Sequence, residues 1–247
     1  MEDCIRLAAG DPQRDDLVTG KLVLVLSGEP VQLELTIPSG PVSVQALLPI
    51  VQGLSSLMAQ RASQRLEAQG KRVSCRAGCG ACCRQLVPIS ATEARALAEL
   101  VCAMPEPRQT QVRQRFQDAL AVLGTSGLIE RYNQADGGED PALGIDYFRA
   151  GVDCPFLEDD ACSIHPDRPL SCREYLVSSP SLHCTNPSSA SIELLALESH
   201  PSLTMLNAEA VTGWMPLVVA LRFAEQAAPA EHDRDAVEIL RELISRF

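Results

Sequence analysis

The sequence predicts an α+β protein, predominantly α, with a small N-terminal β-hairpin, a central cysteine-rich metal-binding module and C-terminal helices. Three observations carry this expectation. Two apolar runs near the N-terminus are separated by a turn-forming tetrapeptide. Apolar residues then recur at helical spacing through several longer stretches. Nine of the ten cysteines lie between Cys75 and Cys184, and none follows Cys184.

The chain of 247 residues is long enough to bury a hydrophobic core, and 46% apolar with 21% charged residues excludes whole-chain disorder. Its longest apolar runs, such as Leu22–Leu26 and Leu217–Leu221, reach five residues. A bilayer crossing needs roughly 20, so no membrane segment is expected. The N-terminus Met1-Glu2-Asp3-Cys4-Ile5-Arg6 lacks the basic and apolar regions of a secretory signal. A formal net charge of −11 opposes a nucleic-acid partner, because phosphates would be repelled. A cytoplasmic location is expected.

The first 20 residues are polar and read as irregular. Lys21–Leu26 and Val31–Ile37 then flank Ser27-Gly28-Glu29-Pro30 as a hairpin. In the second strand Val31, Leu33, Leu35 and Ile37 alternate with Gln32, Glu34 and Thr36, giving one buried face. Pro38-Ser39-Gly40-Pro41 ends it. Leu47, Val51, Leu54, Met58 and Ala62 predict a helix over Val44–Gln69, with Pro49 in its first turns and Gly70 as its stop. Ser90-Ala-Thr-Glu93 is a capping box for a helix to Ala103, with Leu97, Leu100 and Val101 inward. Val112, Phe116, Leu120 and Leu123 align on a helix over Gln109–Leu123. Residues 124–153, with Gly137-Gly138-Glu139-Asp140-Pro141, read as a short helix and a long loop. Pro155, Pro166, Pro169 and Pro180 forbid a continuous helix over 154–184. Trp214–Ala227 and Asp235–Phe247 read as closing helices. Three units are expected: 1–70 for hairpin and long helix, 71–185 for the cysteine cluster, and 186–247 for a C-terminal helical segment packed on it.

The chemistry concentrates in the cysteines. The first segment reads Cys75-Arg-Ala-Gly-Cys79-Gly-Ala-Cys82-Cys83. Four thiols in nine residues cannot pair with one another without strain, but a loop can wrap them around a metal. The second segment supplies Cys154, Cys162, Cys172 and Cys184. These eight thiols suit two four-coordinate sites, or one iron–sulfur cluster with neighbours, and spacing leaves their pairing open. Lys71, Arg72, Arg76, Arg84, Arg168 and Arg173 place positive charge beside them, which stabilises thiolates. The alternative for these arginines and lysine is a solvated basic surface.

Cys-x3-Cys-x2-Cys-Cys, then Cys154-Pro155-Phe156-Leu157, then Cys162-Ser-Ile-x-x-x-Arg168-Pro-x-x-Cys172-Arg173 resembles the YkgJ-type cysteine-cluster family, a zinc- or iron-chelating domain. The resemblance covers about residues 72–185. It implies metal chelation by Cys75, Cys79, Cys82, Cys83, Cys154, Cys162 and Cys172, with Cys184 a weaker carry-over. His165 stands where that family usually has tyrosine. Flagellin lysine methylases carry a similar cysteine pattern.

Cys75-x3-Cys79-x2-Cys82 also matches the cluster motif of radical S-adenosylmethionine enzymes, with Gly137-Gly138-Glu139 imitating their glycine–glutamate segment. Helices rather than alternating strands are expected after Cys83, and Ala81 stands where an aromatic is usual, so the context opposes this reading. His183, beside Cys184, and His165, three residues after Cys162, are minor ligand candidates. His200 and His232 read as structural or exposed. Cys102, among apolar helix positions, reads as a small core residue, and Cys4 as incidental. Two function classes remain. One is a protein holding an iron–sulfur cluster, with 4Fe-4S as the candidate type, acting in redox or beside an oxidoreductase or methyl-transfer reaction, with a protein redox partner. The other is a non-enzymatic zinc module for protein partners.

Overall fold

The computed structural model describes residues 4–10, 16–26, 28–134, 140–186, 191–208, 213–229 and 234–247. Gly137-Gly138-Glu139 and His232 lie outside them, as does Ser27 of the predicted hairpin turn. The fold is α+β and mainly helical, as the sequence predicts.

The N-terminal sheet has three strands, not two. Strands β1 (Ile5–Ala8), β2 (Leu17–Leu26) and β3 (Glu29–Pro38) lie in the order β1-β3-β2. β2 runs antiparallel to β3 from Leu17 opposite Pro38 to Leu26 opposite Glu29, while β1 is parallel to β3 with Ile5 opposite Leu33. The expected irregular first 20 residues are thus corrected. β3 offers a second hydrogen-bonding edge that a short alternating strand can occupy, a tertiary opportunity that local polarity conceals. Val31, Leu33, Leu35 and Ile37 are buried, as their alternation requires.

Helix α1 (Leu48–Ala68) follows a 3-10 turn at Val44–Leu47, with Pro49 in its first turn. It buries Ile50, Val51, Leu54, Met58 and Ala62. A Cβ on Gly53 would lie 2.6 Å from Leu7 Cδ2, so glycine leaves room for the Leu7 side chain where β1 meets the helix. α2 (Ala91–Cys102) carries the predicted capping box: Glu93 N donates to Ser90 Oγ at 3.2 Å and Ser90 N donates to Glu93 Oε2 at 2.9 Å. α3 (Arg108–Thr125) buries Val112, Phe116 and Leu123.

The long loop expected before residue 153 is instead interrupted by a second helix. α4 (Leu128–Gln134) and α5 (Pro141–Arg149) are clasped by Arg131, which donates to Asp140 at 2.6 Å and to Asp146 at 2.7 Å. Asp140 caps α5 by accepting from Ala142 N at 3.1 Å. Glycine and proline were the local signals for a loop; here Pro141 starts a helix, a position where its missing N–H costs nothing.

The remaining helices are α6 (Leu170–Glu174), α7 (Pro201–Ala208), α8 (Ala220–Gln226) and α9 (Ala236–Ile244). The single helix expected over Trp214–Ala227 is also corrected. Met215–Pro216 pairs with Pro88–Ile89, and Leu217 N donates to Val87 O at 2.9 Å, before a 3-10 turn leads into α8. Pro216 lacks the N–H that a continuing helix would use.

Two apolar clusters result. One joins the sheet, α1, α9, Leu170 and Met205. The other joins α2 to α5 with Val152, Phe156, Ile164 and residues 215–221, and is anchored by an edge-to-face pair of Phe116 and Phe156 at 5.4 Å. Among the described residues, no helix is long and apolar enough to cross a membrane.

Candidate metal centre

The two cysteine segments meet although about 70 residues separate them in sequence. Cys154 N donates to Cys83 O at 2.7 Å, joining their backbones directly. On the other flank Ser74 N donates to Val177 O at 2.8 Å and Val177 N donates to Cys75 Sγ at 3.5 Å. Leu157–Glu158 and Ala161–Cys162 form a tight hairpin whose central residues Asp159 and Asp160 have φ of 49° and 56°. Aspartate tolerates this left-handed conformation better than most side chains. The hairpin presses on the first segment. A Cβ on Gly80 would lie 2.7 Å from Leu157 Cδ1 and 2.9 Å from Asp160 O, so only glycine permits the approach.

All eight predicted ligands, Cys75, Cys79, Cys82, Cys83, Cys154, Cys162, Cys172 and Cys184, line one cavity of about 480 Å³. Its other walls include Leu86, Val87, Phe156 and Leu217, with Gln85, Arg168 and Tyr175 as polar members. All ten cysteines are free thiols. The donor chemistry therefore fits zinc or iron, both of which take thiolate sulfur. Among the described residues, no group of three or more His, Cys, Asp or Glu side chains is drawn together closely enough to hold a metal ion. Holding one there would need these thiols to draw closer together.

Electrostatics divides the thiols. A hydrogen bond from Cys83 holds Cys82 down at about 7, and the same bond with burial pushes Cys83 up. Burial raises Cys154 to about 12 and pushes Cys172 well up; it also raises Cys75, Cys162 and Cys184. The positive charge of Arg168 opposes this at Cys75, Cys82 and Cys162. The other predicted basic neighbours differ in role. Arg84 bridges the segments, with Asp153 at 3.1 Å, Asp160 at 3.2 Å and Gly80 O at 3.2 Å. Buried Arg173 donates to Arg168 O at 2.9 Å, Ser56 Oγ at 3.0 Å and Pro166 O. Arg76 lines the cavity, while Lys71 and Arg72 are exposed.

Residues 74–190 match the CxxCxxCC family model. That family is described as a "Putative zinc- or iron-chelating domain", and its match spans a little under half of the chain. No curated protein and no solved structure matches the chain. The CxxCxxCC segment contains all eight cavity-lining cysteines, and also Cys102.

Cys102 corrects an expectation. It is exposed at the last position of α2, where Arg113 Nη2 donates to its sulfur at 3.1 Å, while Val101 takes the core position. Successive helix positions lie about 100° apart, so Val101 can face the core while Cys102 at the frayed last turn faces outward. Of the histidines, His165 reaches the cavity and touches Arg168, and His183 Nδ1 lies 2.5 Å from Ser191 O. His200 meets Glu174 Oε2 at 3.1 Å. Two buried carboxylates that support the CxxCxxCC segment were not legible as such. Glu93 reads in sequence only as a helix cap, and Glu174, which accepts from Ser202 N at 2.8 Å and Ser55 Oγ at 3.3 Å, carries no local signal.

Proposed function

We propose that the chain is a cytoplasmic metal–thiolate protein whose eight clustered cysteines hold iron–sulfur, serving electron transfer or an accessory role beside an oxidoreductase or methyl-transfer reaction. The observation that carries this reading is the convergence of all eight thiols from two distant segments on one cavity. Iron is favoured over a purely structural metal because the cavity is roomy and its walls beyond the sulfurs are mostly apolar, with Gln85, Arg168 and Tyr175 among the polar members. Apolar walls exclude water and so tune a bound cluster's potential. When bound, such a cluster supplies one-electron chemistry. The chain's own residues deliver the thiolates, place the Arg168 charge beside three of them, and brace both segments through Arg84 and the Cys83–Cys154 backbone bond.

Structural zinc with a protein partner is the second reading. It is supported by the direct bonding of the two segments, since a closed tetrahedral site there would contribute to folding. Metal and acid-labile sulfide analysis with an absorption spectrum, on protein purified anaerobically without reconstitution, separates the two. Iron with sulfide and a broad band near roughly 400 nm supports the first. Zinc without sulfide supports the second. Neither metal overturns both. Cys79→Ala should lose metal and Cys102→Ala should retain it, since only Cys79 lines the cavity.

A further inference from the structure

β2 is an edge strand whose side chains do not suit an edge. It pairs with β3 along its whole length, Leu17–Leu26, and among the described residues no strand pairs with its other side. The N–H and C=O groups on that side are an open template for another strand. The run Leu22-Val23-Leu24-Val25-Leu26 is apolar on both faces, the pattern of a strand covered on both sides. Yet Val23 and Val25, on the outer face, are 58% and 65% exposed. On the inner face Val18 lies opposite buried Ile37 and is 41% exposed, and Leu22 and Leu24 are only half-buried. β1 packs on α1 and β3 on α9, while the principal neighbour of β2 is β3. The strand therefore overhangs the helical layer and leaves apolar surface uncovered on both faces.

Two features identify what covers it as a second copy of this chain. The run is a palindrome. Antiparallel pairing about a two-fold axis at Leu24 sets Leu22 opposite Leu26 of the second copy and Val23 opposite Val25, so like meets like on each face. Charge favours the same place. The chain's net −11 opposes self-association in general. Beside β2, however, the ion pairs set Arg6, Lys21 and Arg61 against Glu29 and Glu34, at 3.1 Å for Arg6–Glu34, 3.6 Å for Lys21–Glu34 and 3.3 Å for Arg61–Glu29. An edge lysine ordinarily guards against pairing, but Lys21 is held by Glu34 and falls outside the palindrome.

We propose that β2 is the contact of a two-fold homodimer, in which the N-terminal sheets of two copies join edge to edge into one continuous sheet. This inference is independent of the metal-binding reading, because β2 contributes no residue to the cysteine cavity.

The test is sedimentation velocity of the reduced full chain over a dilution series. The unaltered chain should sediment as a dimer that dissociates on dilution. Val23→Lys with Val25→Lys sets like charges opposite one another across the two-fold axis and should give a monomer at every concentration. Val122→Lys, at an exposed position of α3, should leave the dimer intact. A monomeric unaltered chain overturns the proposal, as does a dimer that survives the paired lysines or one that Val122→Lys also abolishes. Should the paired variant fail to fold, hydrogen exchange of the unaltered chain replaces it. Protection of the Leu22–Leu26 amides should rise with protein concentration, and protection independent of concentration overturns the pairing.

Discussion

Glu93 Oε1 accepts the backbone N–H of Leu170 at 2.8 Å while Oε2 of the same carboxylate closes the capping box of α2. One buried side chain therefore starts two helices, and the second of them carries Cys172 into the cavity. Glu93→Ala leaves buried N–H donors at both helix starts and should cost about 2–4 kcal/mol, as a lost cap plus an unsatisfied donor. Urea unfolding of metal-free protein checks it. A change below about 0.5 kcal/mol would show that the two starts are held by other means.

Gly80 should resist even the smallest side chain. A methyl group there meets the Asp160 carbonyl, which is backbone and cannot rotate aside. Gly80→Ala should destabilise by about 1–3 kcal/mol, the usual range for an overpacked contact, and should loosen the 157–162 hairpin that carries Cys162. Hydrogen exchange at Ser163 N, which donates to Phe156 O, is the local readout, and unchanged protection would contradict the packing argument.

Thiol ionisation should follow the order set by burial and hydrogen bonding. With Cys82 at about 7 and Cys154 at about 12, alkylation of the reduced, metal-free chain near neutral pH should mark Cys82 well before Cys154. The Cys82 rate should fall as pH drops below about 7, because the thiolate is the nucleophile. Peptide mass spectrometry of timed aliquots gives both rates, and equal labelling would remove the basis for treating the Cys82–Cys83 hydrogen bond as polarised.

The Arg131 clasp predicts a pH dependence with a definite sign. Its hydrogen bonds hold Asp140 and Asp146 below their ordinary value of 3.8. A depressed carboxylate contributes stability above its unfolded value and loses it as pH falls through the folded one. Arg131→Gln should therefore lower the melting temperature near neutral pH, and the difference from the unaltered protein should shrink as pH falls below 3.8 and vanish below the depressed folded values. The effect is small because these groups are partly exposed. A gap that persists unchanged in acid would mean that Arg131 acts by packing instead.

How much was legible depended on the range of the signal. The α2 capping box, the buried alternation of β3 and the α1 face from Val51 to Ala62 are local patterns, and each appears where its spacing requires. β1 was missed because its partner edge lies on β3, well along the chain, and α5 because glycine and proline beside Asp140 signal a turn as readily as a helix start. Cys102 was misplaced because periodicity gives a face but not which of two neighbours at a helix end takes the core.

By itself the sequence determined the mainly helical class, the eight candidate thiols and the cysteine spacing that the CxxCxxCC model matches, since these rest on residue identity and short spacing. Only the tertiary structure decided that both cysteine segments share one cavity, that Gly80 admits the hairpin, and that Glu93 and Arg84 brace the two sides. Contacts across about 70 residues depend on how cores pack and loops close, and no local pattern encodes that geometry.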